Sequence, residues 1–566
     1  MDNTHWVVEG KLQEDAQHHE GRRTSLPQDA FNRRHSVSSS MTGRRDSLSK
    51  NFEKANIAMV VPDHTHLEMT DDEISSGQSI DNISPSWFVW LVALTASIAG
   101  ALFGYDTGII SAVLVYLGND LDGRPTSSGE KEAITSLCSA GAFIGAIIAG
   151  LTADKFGRKI AIYVGCVLFV VGAVLQAAAY SIAQMCVGRL IALREARSYH
   201  TALELLSPMF PTVRFNNSST SSTSFADAIH AGWRYMIGLG AVPAILLGCL
   251  LPFCPESPRQ LVYHGKIAEA ERVIGKIYAG ATEDQIRQKV ALIAAACEET
   301  KELNDSSRWQ KIKMLHTNPA YFRALVCACG LMVISQMSGF NTLMYYSSTL
   351  FALVGFKNPV AVGLVVAGTN FIMTWINMMT VDSVGRRRIL ISTAWGMSAG
   401  LLAVAVAFSF IPIDRHTLEL TDPKVSSAAI VVLVFIIWFV VFYGVSVGNT
   451  AWMSTDFFPM EVRAMGTMWL TCSCWGSNII VSSTFLSMMK GMTPSGAFGF
   501  YAAICGIGWV LIILFYPEVS GLTLEEIGEV FKHGFGVKYA RELRKERKDE
   551  IAERMRTMEK PIPGGH

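Results

Sequence analysis

Charge is scarce in this 566-residue chain, and none of it is left over. Asp, Glu, Lys and Arg make up 17% of the residues, and 48 basic side chains cancel 48 acidic ones. Without an excess of basic residues there is no electrostatic footprint for nucleic acid. Phosphate-cradling glycine loops, nucleophile–base–acid constellations and metal-ligand spacings are missing too, so an enzyme is not expected. Eleven cysteines do not reverse this. Most lie in apolar runs. The pairs Cys327/Cys329 and Cys472/Cys474 have no second pair and no matching His, so they read as small buried residues rather than metal ligands. No signal peptide opens the chain, and its polar first 80 residues are expected to stay in the cytosol.

Apolar residues are what the chain has in quantity. They form 50% of it, and the mean hydropathy is +0.30. They gather into runs close to the ~20 residues that cross a bilayer. The runs are 88–113, 132–153, 160–180, 232–252, 323–347, 360–381, 388–411, 427–450, 465–488 and 497–516. Residues 181–193 are apolar but short, and they carry Arg189. The expected organisation is a disordered tail (1–85), a transmembrane bundle (86–252), a helical linker (253–321), a second bundle (322–516) and a charged tail (517–566). The fold class is an all-α membrane protein. Lys155, Arg158 and Lys159 fill one connection between spans, and Arg386, Arg387 and Arg388 fill another. The bias of basic residues to cytosolic loops then puts both termini and the linker in the cytosol.

The two bundles are related by a repeat. DKFGRK begins at Asp154 and DSVGRR at Asp382, and PESPR at Pro255 and PEVSG at Pro517 follow the last span of each half. With these go GYDTGIIS (104–111), GRL (188–190), QMSGFNTLMYYS (336–347), DFFPMEVR (456–463) and PEVSGLTLEEI (517–527). This ordered set resembles the sugar porter branch of the major facilitator superfamily, and within it the fungal proton-coupled myo-inositol transporters. The resemblance implies two six-helix bundles around a midplane cavity that opens alternately to each side.

An ionisable group inside a span is a functional candidate by default, and Asp106 is one. Arg189 is its natural partner. In proton-coupled sugar porters an Asp and an Arg at the matching positions form a proton switch, in which protonating the Asp releases the Arg. For the substrate, the resemblance points to Gln336, Asn341, Asn370, Trp452, Trp475 and Asn478. Amides offer donor and acceptor together, and an indole covers the C–H faces of a ring. Where the family has two adjacent Gln, this chain has Ser335 before Gln336. Arg158, Glu256, Arg259, Asp382, Arg386, Asp456 and Arg463 read as a cytosolic gate of salt bridges. No cofactor is implied beyond the proton as coupling ion.

The resemblance fails over 194–231. Family members continue from GRL into a full fourth span and a fifth that carries a sugar-binding Gln. This chain continues into a polar, Ser/Thr-rich stretch with Pro208, Pro211 and Arg214. Helices 4–5 of the first half therefore read as truncated or replaced, and the abrupt return to pattern at Gly232 points to a misjoined gene segment. Taken as written, the loss of two spans preserves parity. The stretch would face outward with glycosylation sequons at Asn216 and Asn217. A chain missing that cavity wall is expected to transport poorly.

RRTSL, RRHSV and RRDSL place Ser25, Ser36 and Ser47 eleven residues apart, each behind two arginines. That pattern suits a basophilic kinase as partner, besides the substrate and the bilayer. The expected function is proton-coupled uptake of a polyol, myo-inositol first, at the plasma membrane. A hexose or pentose carrier and a non-transporting nutrient sensor are the alternatives.

Overall fold

The computed structural model describes residues 86–156, 158–192, 232–304, 308–413, 427–459, 461–522 and 524–558. The tail with Ser25, Ser36 and Ser47, and the stretch 194–231 with its sequons, lie outside the described residues.

The first half holds α1 (Trp87–Tyr116), α2 (Ser128–Phe156), α3 (Arg158–Ala177), a short α4 (Ile182–Ala192), α5 (Gly232–Leu239) and α6 (Ala241–Leu250). Ser86 caps α1, its Oγ accepting the Phe88 N–H at 3.1 Å. From Gly232 onward the chain is tied firmly to α1 and the residues that follow it. Trp233 Nε1 donates to Asp120 Oδ2 at 2.7 Å, and the Tyr105 hydroxyl donates to the Met236 carbonyl at 2.7 Å. The linker forms α7 (Pro258–Tyr263), α8 (Ile267–Ile277), α9 (Glu283–Asn304) and α10 (Arg308–Thr317).

The second half holds α11 (Pro319–Met337), α12 (Phe340–Leu353), α13 (Pro359–Val384), α14 (Arg386–Phe408), α15 (Ser427–Val445), α16 (Val447–Met453) and α17 (Arg463–Phe515). Pro319 and Pro359 open their helices, where a missing N–H costs nothing. Three breaks bend the spans. Gly339 (φ 86°) separates α11 from α12 in a left-handed conformation that suits glycine. Ser446 separates α15 from α16. In α17, Thr493 (φ 75°) and Pro494 fold the chain back on itself. Phe485 consequently meets Phe498 at 6.1 Å and Tyr501 at 6.2 Å between ring centroids. The described residues thus give nine long apolar helical stretches for ten expected runs, because α17 contains the last two. The charged tail also folds into helices, α18 (Leu524–Lys532) and α19 (Val537–Met558).

Helix α3 shows why a bilayer is needed. Ile160, Val164, Val167, Val171 and Val174 are exposed at spacings of three and four, while Ile162, Cys166, Phe169 and Ala173 are buried between them. A continuous apolar stripe of that length is unsuited to water and suited to lipid.

The repeat does one structural job twice. Lys159 Nζ donates to the carbonyls of Pro252 (3.2 Å) and Cys254 (2.9 Å). Its counterpart Arg387 donates to the carbonyls of Ile512 (3.2 Å), Ile513 (2.7 Å) and Tyr516. In each half, a cation at the head of one helix covers carbonyls at the end of the last span, where the helix dipole is negative.

Candidate functional site

A charge pair sits inside the first half. Arg189 Nη1 donates to both oxygens of Asp106, at 2.8 and 2.9 Å. The Arg189 side chain is 1% exposed and that of Asp106 8%. Desolvating two charges is costly and is repaid only by close contact of this kind. Short α4 reaches Asp106 because Gly141 on α2 lets it in: a Cβ there would stand 2.4 Å from the Leu190 carbonyl. The pair is not exclusive. The Cys138 thiol of α2 donates to Asp106 Oδ2 at 3.2 Å, and Arg189 Nη1 lies 3.6 Å from the same sulfur.

An amide cluster sits inside the second half. Gln336 Oε1 accepts from Asn341 Nδ2 and from Asn478 Nδ2, the latter at 3.3 Å. The α11–α12 break at Gly339 makes the first contact possible, since it lets residues five apart turn toward each other. Asn478 Oδ1 accepts from the Ser139 hydroxyl at 2.6 Å and from the Tyr345 hydroxyl at 3.3 Å. Ser139 belongs to the first half, so this bond crosses between the halves. Trp475 is buried one helical turn before Asn478 on α17.

The remaining candidates lie around this core. Asn370 stands apart on α13, its buried Oδ1 lacking a hydrogen-bond partner among the described residues and facing Gly444 of α15. Trp452 is half-buried on α16 and packs against the main apolar core. Ser335 is 1% exposed and turns toward α15 and α16, its Oγ 3.4 Å from the Tyr443 hydroxyl and the Val447 carbonyl.

Of the gate candidates, Arg386 and Asp456 form an ion pair at 2.9 Å, both within the second half. Arg463 Nε donates to the Phe458 carbonyl at 3.2 Å. Arg259 lends its carbonyl to the Cys297 thiol at 3.8 Å. Glu256 Oε2 is buried without a hydrogen-bond partner among the described residues. The side chains of Arg158 and Asp382 lie outside the described residues.

Sequence reasoning passed over several residues that matter. Cys138 reads from sequence only as one of the cysteines in apolar runs, and nothing there singles out Ser139. Glu132 was missed too. It is 4% exposed at the head of α2, and its carboxylate accepts the Ser487 N–H at 2.7 Å and hydroxyl at 2.6 Å from α17. The rule that flagged Asp106, an acid within an apolar run, would have flagged Glu132. A third crossing joins Ser111 of α1 to Ser347 and Ser348 of α12 at 2.9 Å.

Comparison with known proteins agrees with this architecture. The family model described as "Sugar (and other) transporter" matches residues 92–192 and 212–531, so the gap in the match, 193–211, falls at the start of the stretch where the pattern fails. Myo-inositol transporter 1 of Saccharomyces cerevisiae is 36% identical, covering 86% of each chain. Myo-inositol transporter 1 of Cryptococcus neoformans var. grubii is 38% identical over 82% of this chain and 85% of that protein. Among solved structures, the proton:xylose symporter XylE bound to 6-bromo-6-deoxy-D-glucose superposes with a TM-score of 0.62 at 23% identity, over 78% of this chain and 99% of the other. That likeness shows the fold. A multi-pass helical bundle, a two-half repeat and this family match lead to one conclusion: the chain belongs to the sugar porter family of the major facilitator superfamily, and it is a transporter rather than an enzyme.

Proposed function

We propose that this chain carries a small cyclic polyol, myo-inositol first, across the plasma membrane together with a proton, by alternating access. The observation that supports it most is the pairing of two sites in one membrane core. A carboxylate that can take up a proton lies in one half, and a cluster of amides that can bind hydroxyls lies in the other. Each amide presents both a donor and an acceptor to a ring of hydroxyls. The names of the two myo-inositol transporters to which the chain is similar support the choice of polyol.

In this reading Gln336, Asn341 and Asn478 hold the hydroxyls, with Asn370, Trp452 and Trp475 around them. Protonation of Asp106 frees Arg189 and lets the halves rearrange. The cytosolic gate comprises Arg158, Glu256, Arg259, Asp382, Arg386, Asp456 and Arg463. Both termini face the cytosol, and a basophilic kinase acts on Ser25, Ser36 and Ser47.

Uptake of radiolabelled myo-inositol by cells expressing the chain tests this. The expected result is saturable uptake that rises as the external pH falls and is not displaced by glucose or xylose. Uptake equal to that of control cells would overturn it and would support the expectation that a first half altered over 194–231 cannot transport.

A further inference from the structure

The charge pair and the amide cluster meet at two adjacent residues of α2. Cys138 touches Asp106 and Arg189 at 3.2 and 3.6 Å. Ser139, the next residue, donates to Asn478 Oδ1 at 2.6 Å. Successive residues on a helix point about 100° apart, so one short segment faces both sites at once. Ser139 is 1% exposed, and Cys138 is partly buried.

The bond from Ser139 has a chemical consequence. Asn478 Oδ1 is an acceptor that a polyol hydroxyl would use, and Ser139 and Tyr345 already occupy it. A carbonyl oxygen has two lone pairs, so an incoming hydroxyl must displace one donor. Ser139 is the donor that belongs to the other half. Its displacement removes a bond between halves and frees the α2 segment that carries Cys138.

We propose that Cys138 and Ser139 form the coupling element of this transporter: substrate hydroxyls displace Ser139 from Asn478, and the resulting movement of α2 withdraws the Cys138 thiol from Asp106. The inference rests on the proton-coupled reading above. Cys138 and Ser139 are positioning residues in this scheme. The proton goes to Asp106, and the thiol of Cys138 keeps its own hydrogen throughout. Other titratable groups face this site. Arg189 comes from α4 with Cys186 beside it, and Tyr345 of α12 lies within electrostatic reach of Asp106, Cys138 and Arg189. They are unchanged in the variants below.

The test uses the full chain in proteoliposomes with myo-inositol as probe. Binding affinity is measured at fixed pH, and proton entry is followed with an internal pH dye. Ser139→Ala removes the competitor for Asn478. It is expected to tighten myo-inositol binding by about threefold while lowering the protons moved per substrate. Ser139→Thr keeps the hydroxyl and is expected to restore both. Cys138→Ala is expected to leave affinity at saturating proton concentration within about twofold and to shift the midpoint of the pH–uptake profile. Ser139→Ala binding with unchanged affinity and unchanged proton coupling would overturn the proposal. So would a Cys138→Ala variant with an unshifted pH profile. The wild-type dye signal keeps the two readings apart. Absence of proton entry in the wild type sinks symport, whereas the affinity change in Ser139→Ala reports displacement of the serine regardless.

Discussion

The two halves of the membrane domain share a repeat but bury different polar chemistry. The first half places a charge pair, Asp106 and Arg189, in its interior. The second places neutral amides there, Gln336, Asn341 and Asn478. Their frames differ in completeness as well. Lys159 covers two carbonyls at the end of the first half, whereas Arg387 covers three at the end of the second and is joined there by Glu518, which accepts the Arg387 N–H at 3.0 Å. A repeat therefore conserves the contact that holds a bundle together while leaving the interior free to diverge. A buried charge pair is sensitive to a single proton; a set of amides is not, and can be redundant.

The sharpest way to break this contrast is to strip one partner from the charge pair. Arg189→Met leaves Asp106 buried and unpaired, and should cost about 3–5 kcal/mol of stability. The double variant Asp106→Asn/Arg189→Met should recover most of that in a detergent thermal melt. Recovery would identify an uncompensated charge, rather than lost packing, as the cause.

A smaller effect is expected from the repeat cations. Arg387→Ala removes several charged hydrogen bonds and should cost about 3 kcal/mol, against about 1.5 kcal/mol for Lys159→Ala. Equal losses in the melt would mean that the two halves are braced alike and that the extra carbonyl contacts add nothing.

The seam between the halves comes next. Glu132→Gln weakens the double contact with Ser487 and should cost about 1.5 kcal/mol, while Ser487→Ala should cost less, because the backbone N–H of residue 487 still donates. Among the amides, Asn478→Ala should raise the uptake KM by about tenfold, the equivalent of roughly 1.4 kcal/mol. The same substitution at Asn370, which lies outside the bonded cluster, should raise it less.

The smallest effect is a labelling rate. Burial pushes the thiols of Cys254 and Cys297 above the usual cysteine range, though Thr95 and Lys159 partly offset this for Cys254 and Arg259 for Cys297. The thiolate is the reacting form, so maleimide labelling of both should be slow at pH 7 and quicken as the pH rises. Rapid labelling at pH 7 would mean that the linker opens readily.

Much of this was legible in the sequence because bilayers impose simple rules. Run length found the spans, and the separation of the runs 465–488 and 497–516 matches the kink at Thr493 and Pro494, where the backbone leaves the helical conformation. An acid within LFGYDTGII marked Asp106, and the only Arg in the short run 181–193 marked its partner. Gln336 and Asn341 were legible as amides in one span, but their contact depends on Gly339. The helical tail was not legible as such: its many charged residues gave no apolar run, and α18 depends on burying Ile527, Val530 and Phe531 against the bundle.

By itself the sequence determined the membrane class, the number and placement of apolar runs, the two-half repeat and which polar residues lie inside them. These follow from the cost of exposing a polar backbone or a charge to hydrocarbon, a cost paid residue by residue along the chain. Only the tertiary structure decided which of those polar groups touch. That Cys138 faces Asp106 while Ser139 faces Asn478, that Glu132 closes on Ser487, and that Arg387 reaches carbonyls more than a hundred residues away are all set by helix packing. Packing joins positions distant in sequence, and no local pattern of residues records which pairs will meet.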